Sequence, residues 1–96
     1  MIEIEENKLY ISGSLTFRDA KIITIFIRKV LLLDYKDIVL NLVDLDFIDS
    51  TGIGMLLVLQ GQLKDSGKNF SIKGLKGQPL KVFTLSKLKS IFTTEL

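Results

Sequence analysis

The residues whose types and spacing best suggest chemistry lie in one stretch, Asp44-Leu45-Asp46-Phe47-Ile48-Asp49-Ser50-Thr51-Gly52-Ile53-Gly54. Here a hydrophobic strand must hand over to a helix, and the hydroxyls of Ser50 and Thr51 stand beside the carboxylates of Asp44, Asp46 and Asp49. A serine on a strand-to-helix corner is where a hydrolase nucleophile elbow would put one. That elbow reads G-x-S-x-G, whereas this corner reads Asp49-Ser50-Thr51-Gly52. The chain has no histidine, so the usual general base of a serine hydrolase and the commonest ligand of transition metals are both missing. It has no cysteine, which excludes disulfides, thiolate metal sites and cysteine nucleophiles. A lysine base would need a pocket that lowers its proton affinity. No catalytic residue is therefore assigned. The three aspartates suggest Mg²⁺, but nothing else in the sequence completes a coordination shell, so no metal and no cofactor are expected. The lysine of a Walker A loop is also absent.

Binding is the chemistry that remains. Ser and Asp are favoured at helix N-caps, where a side-chain oxygen takes an amide N–H that the first turn leaves unpaired. The plain reading is that Ser50 caps a helix and does nothing more. The functional one is that Gly52 and Gly54 keep the first turn bare of bulk, so that another surface or an anion can approach the backbone donors and the positive end of the helix dipole. On that reading Asp49, Ser50, Thr51, Gly52 and Gly54 form a partner-binding corner.

The flanking elements follow from periodicity. Ile2 and Ile4, then Leu9 and Ile11, alternate with polar residues on either side of Glu6-Asn7, which predicts a hairpin. Ser12-Gly13-Ser14 ends its second strand, and Thr16 with Asp19 forms a capping arrangement. A helix is expected over about 17–32, with Phe17, Ala20, Ile23, Ile27, Val30 and Leu31 as its buried stripe. Ile22, Ile25 and Phe26 fall outside the centre of that stripe. Either another part of the chain covers them, or they are an association surface for a partner or a second copy. The run 37–42 is almost continuously apolar and predicts a central strand buried on both faces. A helix over 50 to about 64, a stop at Gly67, a strand over 70–73 and a short helix from 79 to about 86 come next. Leu88, Ile91 and Phe92 supply a last short strand. The order describes an α/β domain in which helices cover a mixed sheet.

Length and composition set the bounds. Ninety-six residues suit one domain, 1–96, and 47% hydrophobic against 25% charged residues describes a folded chain. Thirteen basic and eleven acidic side chains nearly balance, with no basic block to suggest direct nucleic-acid binding. The longest apolar runs are too short to cross a bilayer, and the acidic start is unlike a signal peptide, so the expected location is cytoplasmic without membrane insertion.

The segment Phe47-Ile48-Asp49-Ser50-Thr51-Gly52-Ile53-Gly54-Met55-Leu56-Leu57, preceded by Ile38-Val39-Leu40-Asn41-Leu42 and followed by Gly67 and by Val82-Phe83-Thr84-Leu85-Ser86-Lys87-Leu88, resembles the STAS domain of anti-sigma factor antagonists over almost the whole chain. The resemblance implies a mixed sheet of four to five strands covered by three to four helices. It implies a non-enzymatic regulator that binds a serine kinase doubling as anti-sigma factor, with a phosphatase resetting the cycle. Carried over, Ser50 is the phosphoacceptor, Asp49 its orienting neighbour and Thr51 a second candidate acceptor. STAS domains also serve as small subunits of lipid-transporting ABC systems, where the same corner packs on the ATPase, and that is the alternative. One departure stands out. Many antagonists carry G-E-[IL]-D after the second strand, and here Gly13-Ser14-Leu15-Thr16 replaces both acids with hydroxyl residues, which implies a divergent partner contact. Arg18, close by, is a candidate to face Ser50 or a phosphate on it.

Overall fold

The computed structural model describes residues 1–88 and 91–95, the last three by backbone alone. Its elements run β1 (Ile2–Glu5), β2 (Lys8–Ile11), β3 (Gly13–Leu15), a 3-10 turn (Phe17–Asp19), α1 (Ala20–Leu31), β4 (Asp37–Asn41), β5 (Leu45–Ile48), α2 (Ser50–Asp65), β6 (Asn69–Lys73), α3 (Gly77–Leu85) and β7 (Thr93–Glu95). The main sheet has the order β1-β2-β4-β6-β7, antiparallel only between β1 and β2, so it is mixed as expected. A second, two-stranded parallel sheet pairs β3 with β5 and has no counterpart in the periodicity.

Register explains which residues enter the core. Ile4, Leu9, Leu40 and Ile72 are successive cross-strand partners, as are Ile38 and Phe70. Residues opposite one another share a face, and this face carries the buried members of β2, β4 and β6. Tyr10, Val39 and Ser71 lie on the other face and are only half-buried. The central strand is therefore buried on one face, not two. Its apolar run is continuous because Val39 falls between Ile38 and Leu40, while Asn41 marks the polar side.

The start of α1 corrects the expected stripe. The buried residues are Ile23, Phe26, Ile27 and Val30, spaced i, i+3, i+4, i+7. Phe17 is 65% exposed and Ala20 is exposed as well, whereas Phe26 is only 6% exposed. Phe17 belongs to a 3-10 turn, whose three-residue period puts it out of phase with the α-helix that follows. Thr16 and Asp19 form the expected capping box: Thr16 N–H donates to Asp19 Oδ2 at 2.8 Å, and Arg18 N–H to Thr16 Oγ1 at 3.4 Å.

At the far end of α2, Gly67 has φ +76°, Lys68 N–H donates to Leu63 O at 2.9 Å and Gly67 N–H to Lys64 O at 3.0 Å. These two bonds are the Schellman pattern, so the helix stops where the glycine predicts. Helix α3 begins two residues early, leaving Pro79 still in the first turn, where its missing N–H costs nothing. Leu88 and Phe92 are buried, but they belong to a turn in which Phe92 N–H donates to Leu88 O at 3.0 Å. The last strand is β7, which follows them. Residues 89 and 90 of the expected strand lie outside the described residues. Phe92 fills the core against Phe83 and Phe70, with ring centroids 5.6 and 6.3 Å apart.

Candidate functional site

The corner between β5 and α2 is tied from three sides. Asp49, and not Ser50, is the N-cap: its Oδ1 accepts from Gly52 N–H at 2.7 Å. Its Oδ2 accepts from Phe17 N–H at 3.2 Å, so one carboxylate joins the first turn of α2 to the 3-10 turn. Its own N–H donates to Leu15 O at 3.2 Å, continuing the β3–β5 ladder. From the remaining side, Gln78 of α3 acts as a substitute strand. Its Oε1 accepts from Ile48 N–H and its Nε2 donates to Ile48 O, both at 2.9 Å. Nothing local in the sequence marks Gln78, because its partner lies 30 residues away.

The two glycines of the corner differ. A Cβ on Gly52 would lie 2.4 Å from Leu15 O and 2.7 Å from Ile48 Cγ1, so the close approach of α2 to β3 requires glycine. A Cβ on Gly54 would meet nothing within 4 Å. Steric need inside the chain thus explains the first glycine and leaves the second unexplained. Ser50 and Thr51 are exposed at the first two helical positions. Asp44 and Asp46 are exposed nearby, and no group of three or more acidic side chains is placed to hold a metal ion among the described residues.

Beside Asp49 an open hollow of about 500 Å³ is lined by Ser14, Thr16, Phe17, Arg18, Phe47 and Asp49. Phe17 and Phe47 leave 65% and 46% of their surface in solvent. The Arg18 guanidinium carbon stands 5.8 Å from the centroid of the Phe17 ring, a cation–π distance. Periodicity places Phe17 in the core and does not single out Phe47. Its signal was the run Leu45-Asp46-Phe47-Ile48, in which only Leu45 and Ile48 are buried. The two hydroxyls that set Gly13-Ser14-Leu15-Thr16 apart line the same hollow, while Leu15 is in the core. Of the three apolar residues of α1 singled out in sequence, Ile22 and Ile25 are 57% and 56% exposed, and Phe26 joins the core. No helix among the described residues is long and apolar enough to cross a membrane.

Comparison with known proteins gives a family and a fold. The model of the STAS domain matches residues 2–96. A structure described as a putative anti-sigma factor antagonist from Thermotoga maritima superposes with a TM-score of 0.79 at 21% identity, covering 98% of this chain and 83% of that one. A sulfate transporter family protein from Wolinella succinogenes gives 0.74 at 15%, covering 93% and 74%. The anti-sigma factor antagonist SpoIIAA in its unphosphorylated form gives 0.71 at 16%, covering 100% and 86%. At such identities these likenesses speak to the fold.

Proposed function

The chain belongs to the STAS domain family, and from that premise we propose that it is a regulator of the anti-sigma factor antagonist kind. It docks through the α2 corner on a serine kinase that acts as an anti-sigma factor, and phosphorylation of Ser50 releases it. The observation that carries this reading is the division of roles at the corner. Asp49 supplies the cap and the bridge to the 3-10 turn, so the exposed Ser50 side chain is not needed to hold the helix. Gly54 leaves open space next to it, and Phe17 and Phe47 offer apolar contact alongside. Thr51 is the second candidate acceptor. The reading assigns no catalysis to the chain itself, and it carries with it a bacterial cytoplasm, a resetting phosphatase and control of transcription.

A phosphoserine adds about −1.5 to −2 charges at neutral pH. Gly52 is buried against β3 and offers a partner no surface, so the sequence expectation of contact there is withdrawn. A partner seated on the open space at Gly54 would meet that charge beside Asp49. Two or three spoiled polar contacts, at about 1.4 kcal/mol per tenfold, suffice for a roughly hundredfold loss of affinity. The test is calorimetry against the kinase that co-purifies from the native host. Wild type and Ser50→Ala should bind alike, and genuinely phosphorylated protein about a hundredfold more weakly. Equal affinities for the two phosphorylation states refute the switch.

The alternative is the STAS subunit of a lipid-transporting ABC system; a sulfate transporter family protein shares the fold, which shows that the fold also occurs in transport proteins. On that reading the same corner packs on an ABC ATPase, and the co-purifying protein would be that ATPase.

A further inference from the structure

The outer edge of β1 is open. It ends the main sheet, and no described strand pairs with its far side. Its hydrogen-bonding phase can be read from the chain start, where Met1 N donates to Ser12 O at 3.0 Å and Ser12 N–H to Met1 O at 2.9 Å. In an antiparallel pair bonded and non-bonded positions alternate. Glu3 with Tyr10 and Glu5 with Lys8 are therefore the next bonded pairs, and Ile2 and Ile4 turn their N–H and C=O groups to the open edge. On one face of that edge lies an apolar groove of about 340 Å³, lined by Ile2, Ile4, Ile22, Ile25, Phe26 and Lys29. On the other face stand Glu3 and Glu5, both exposed.

We propose that this edge docks an extended segment that alternates apolar with basic residues, added to the sheet beside β1. Main-chain groups at Ile2 and Ile4 would pair with the guest, its apolar side chains would enter the groove, and its lysines or arginines would face Glu3 and Glu5. Lys29 stands on the α1 side, so cations of the guest are turned away from the groove and towards the glutamates. Lys8 lies across from Glu5 and uncharged Tyr10 across from Glu3, which leaves Glu3 the stronger draw. A second copy fits poorly. Antiparallel pairing of two β1 strands about a two-fold, with isoleucines kept on the groove side, sets Glu3 against Glu3 or Glu5 of the copy, and like charges directly opposite are destabilising. Natural edges are commonly blunted by lysine, proline or a bulge. This one carries acids instead, which bar a like strand and admit a basic one. The site shares no residue with the α2 corner.

The probe is a short blocked peptide of alternating lysine and valine, with a glutamate-valine peptide and a shuffled lysine-valine peptide as controls. Titration followed by amide NMR should show selective binding of the alternating basic peptide and slowed hydrogen exchange at Ile2 and Ile4. Ile4→Pro removes only an outward N–H of the ladder and should lose about tenfold or more in affinity. Ile25→Ser, a neutral change at an exposed position of α1, should also weaken binding and leaves the test intact if the proline variant fails to fold. The double variant Glu3→Lys, Glu5→Lys should reverse the preference towards the acidic peptide. The proposal is overturned if the basic peptide does not bind, if the shuffled one binds equally, or if either Ile25→Ser or a folded Ile4→Pro binds like wild type. It is also overturned if sedimentation shows a dimer that Ile4→Pro abolishes, since the edge would then belong to a second copy.

Discussion

Two glycines separated by one residue should respond to alanine with opposite signs. At Gly52 the new methyl would lie 2.4 Å from Leu15 O and 2.7 Å from Ile48 Cγ1. Carbon contacts are comfortable at about 3.5–4.0 Å, so roughly an ångström of movement is needed. Neither neighbour is free to give way. Leu15 O accepts the Asp49 N–H, and the Ile48 side chain is packed in the core with only 1% of its surface exposed. Overpacking of this kind costs about 1–3 kcal/mol, and the gain from removing a helix glycine returns only about 0.5–1 kcal/mol. Gly52→Ala should therefore lose about 1–2 kcal/mol, a fall in Tm of very roughly 5–15 °C for a domain this size. At Gly54 the helix gain stands alone, and Gly54→Ala should be more stable by about 0.5–1 kcal/mol. Urea and thermal unfolding followed by circular dichroism measure both. A Gly52→Ala variant as stable as wild type would show that α2 does not approach β3 as closely as described. A destabilised Gly54→Ala would mean that the space in front of it is not open. If Gly54→Ala is stabilised and yet binds the partner less well, the glycine serves docking.

The other predictions use the same unfolding assays. Asp49→Ala removes the cap and the bond to Phe17 N–H and should cost about 1–2 kcal/mol, while Asp49→Asn, also a good N-cap, should cost less. Gln78→Glu keeps the acceptor for Ile48 N–H but turns a second oxygen on Ile48 O, and should cost about 1–3 kcal/mol; stability equal to wild type would discount the clamp. Phe26→Ala should cost about 3–5 kcal/mol as a core deletion, whereas Ile25→Ala should change stability by no more than about 0.5 kcal/mol.

What could be read from the sequence was local. The hairpin, α1, β4, α2 and β6 follow from apolar spacing, and the Thr16–Asp19 box and the Gly67 stop follow from capping chemistry within a few residues. The parts that escaped depend on partners distant in sequence. Strand β5 shows no alternation, since only its first and last residues are buried, and it is a strand because β3 lies against it. Val39 looks like core until the sheet is seen to be covered on one face. Phe26 is core because it stands three residues after Ile23 on the buried side of α1, while Phe17 lies ahead of that helix in the 3-10 turn and faces the hollow beside Asp49. Ser50 and Asp49 are equally good caps by type, and the choice was made by tertiary contact: only the residue at 49 can hold Gly52 N–H and Phe17 N–H together.

That choice bears on how a charge at Ser50 would act. Had Ser50 been the cap, phosphorylation would have altered the atoms that hold the first turn, and the modification would have been a switch of local folding. With Asp49 as cap, the bonds to Gly52 and Phe17 remain when Ser50 is modified. The new charge meets the positive end of α2, which compensates it by roughly 0.3–1 kcal/mol at an exposed site, and it meets the Asp49 carboxylate, which opposes it. These contributions differ in sign and are each small beside the several kcal/mol held in the packing around Leu15, Ile48 and Leu56. Little of the effect of phosphorylation can therefore go into the fold of the isolated domain. On the proposed reading it would go into a partner lying against the open space at Gly54, where a bound surface would strip water from a dianion that the free domain leaves solvated.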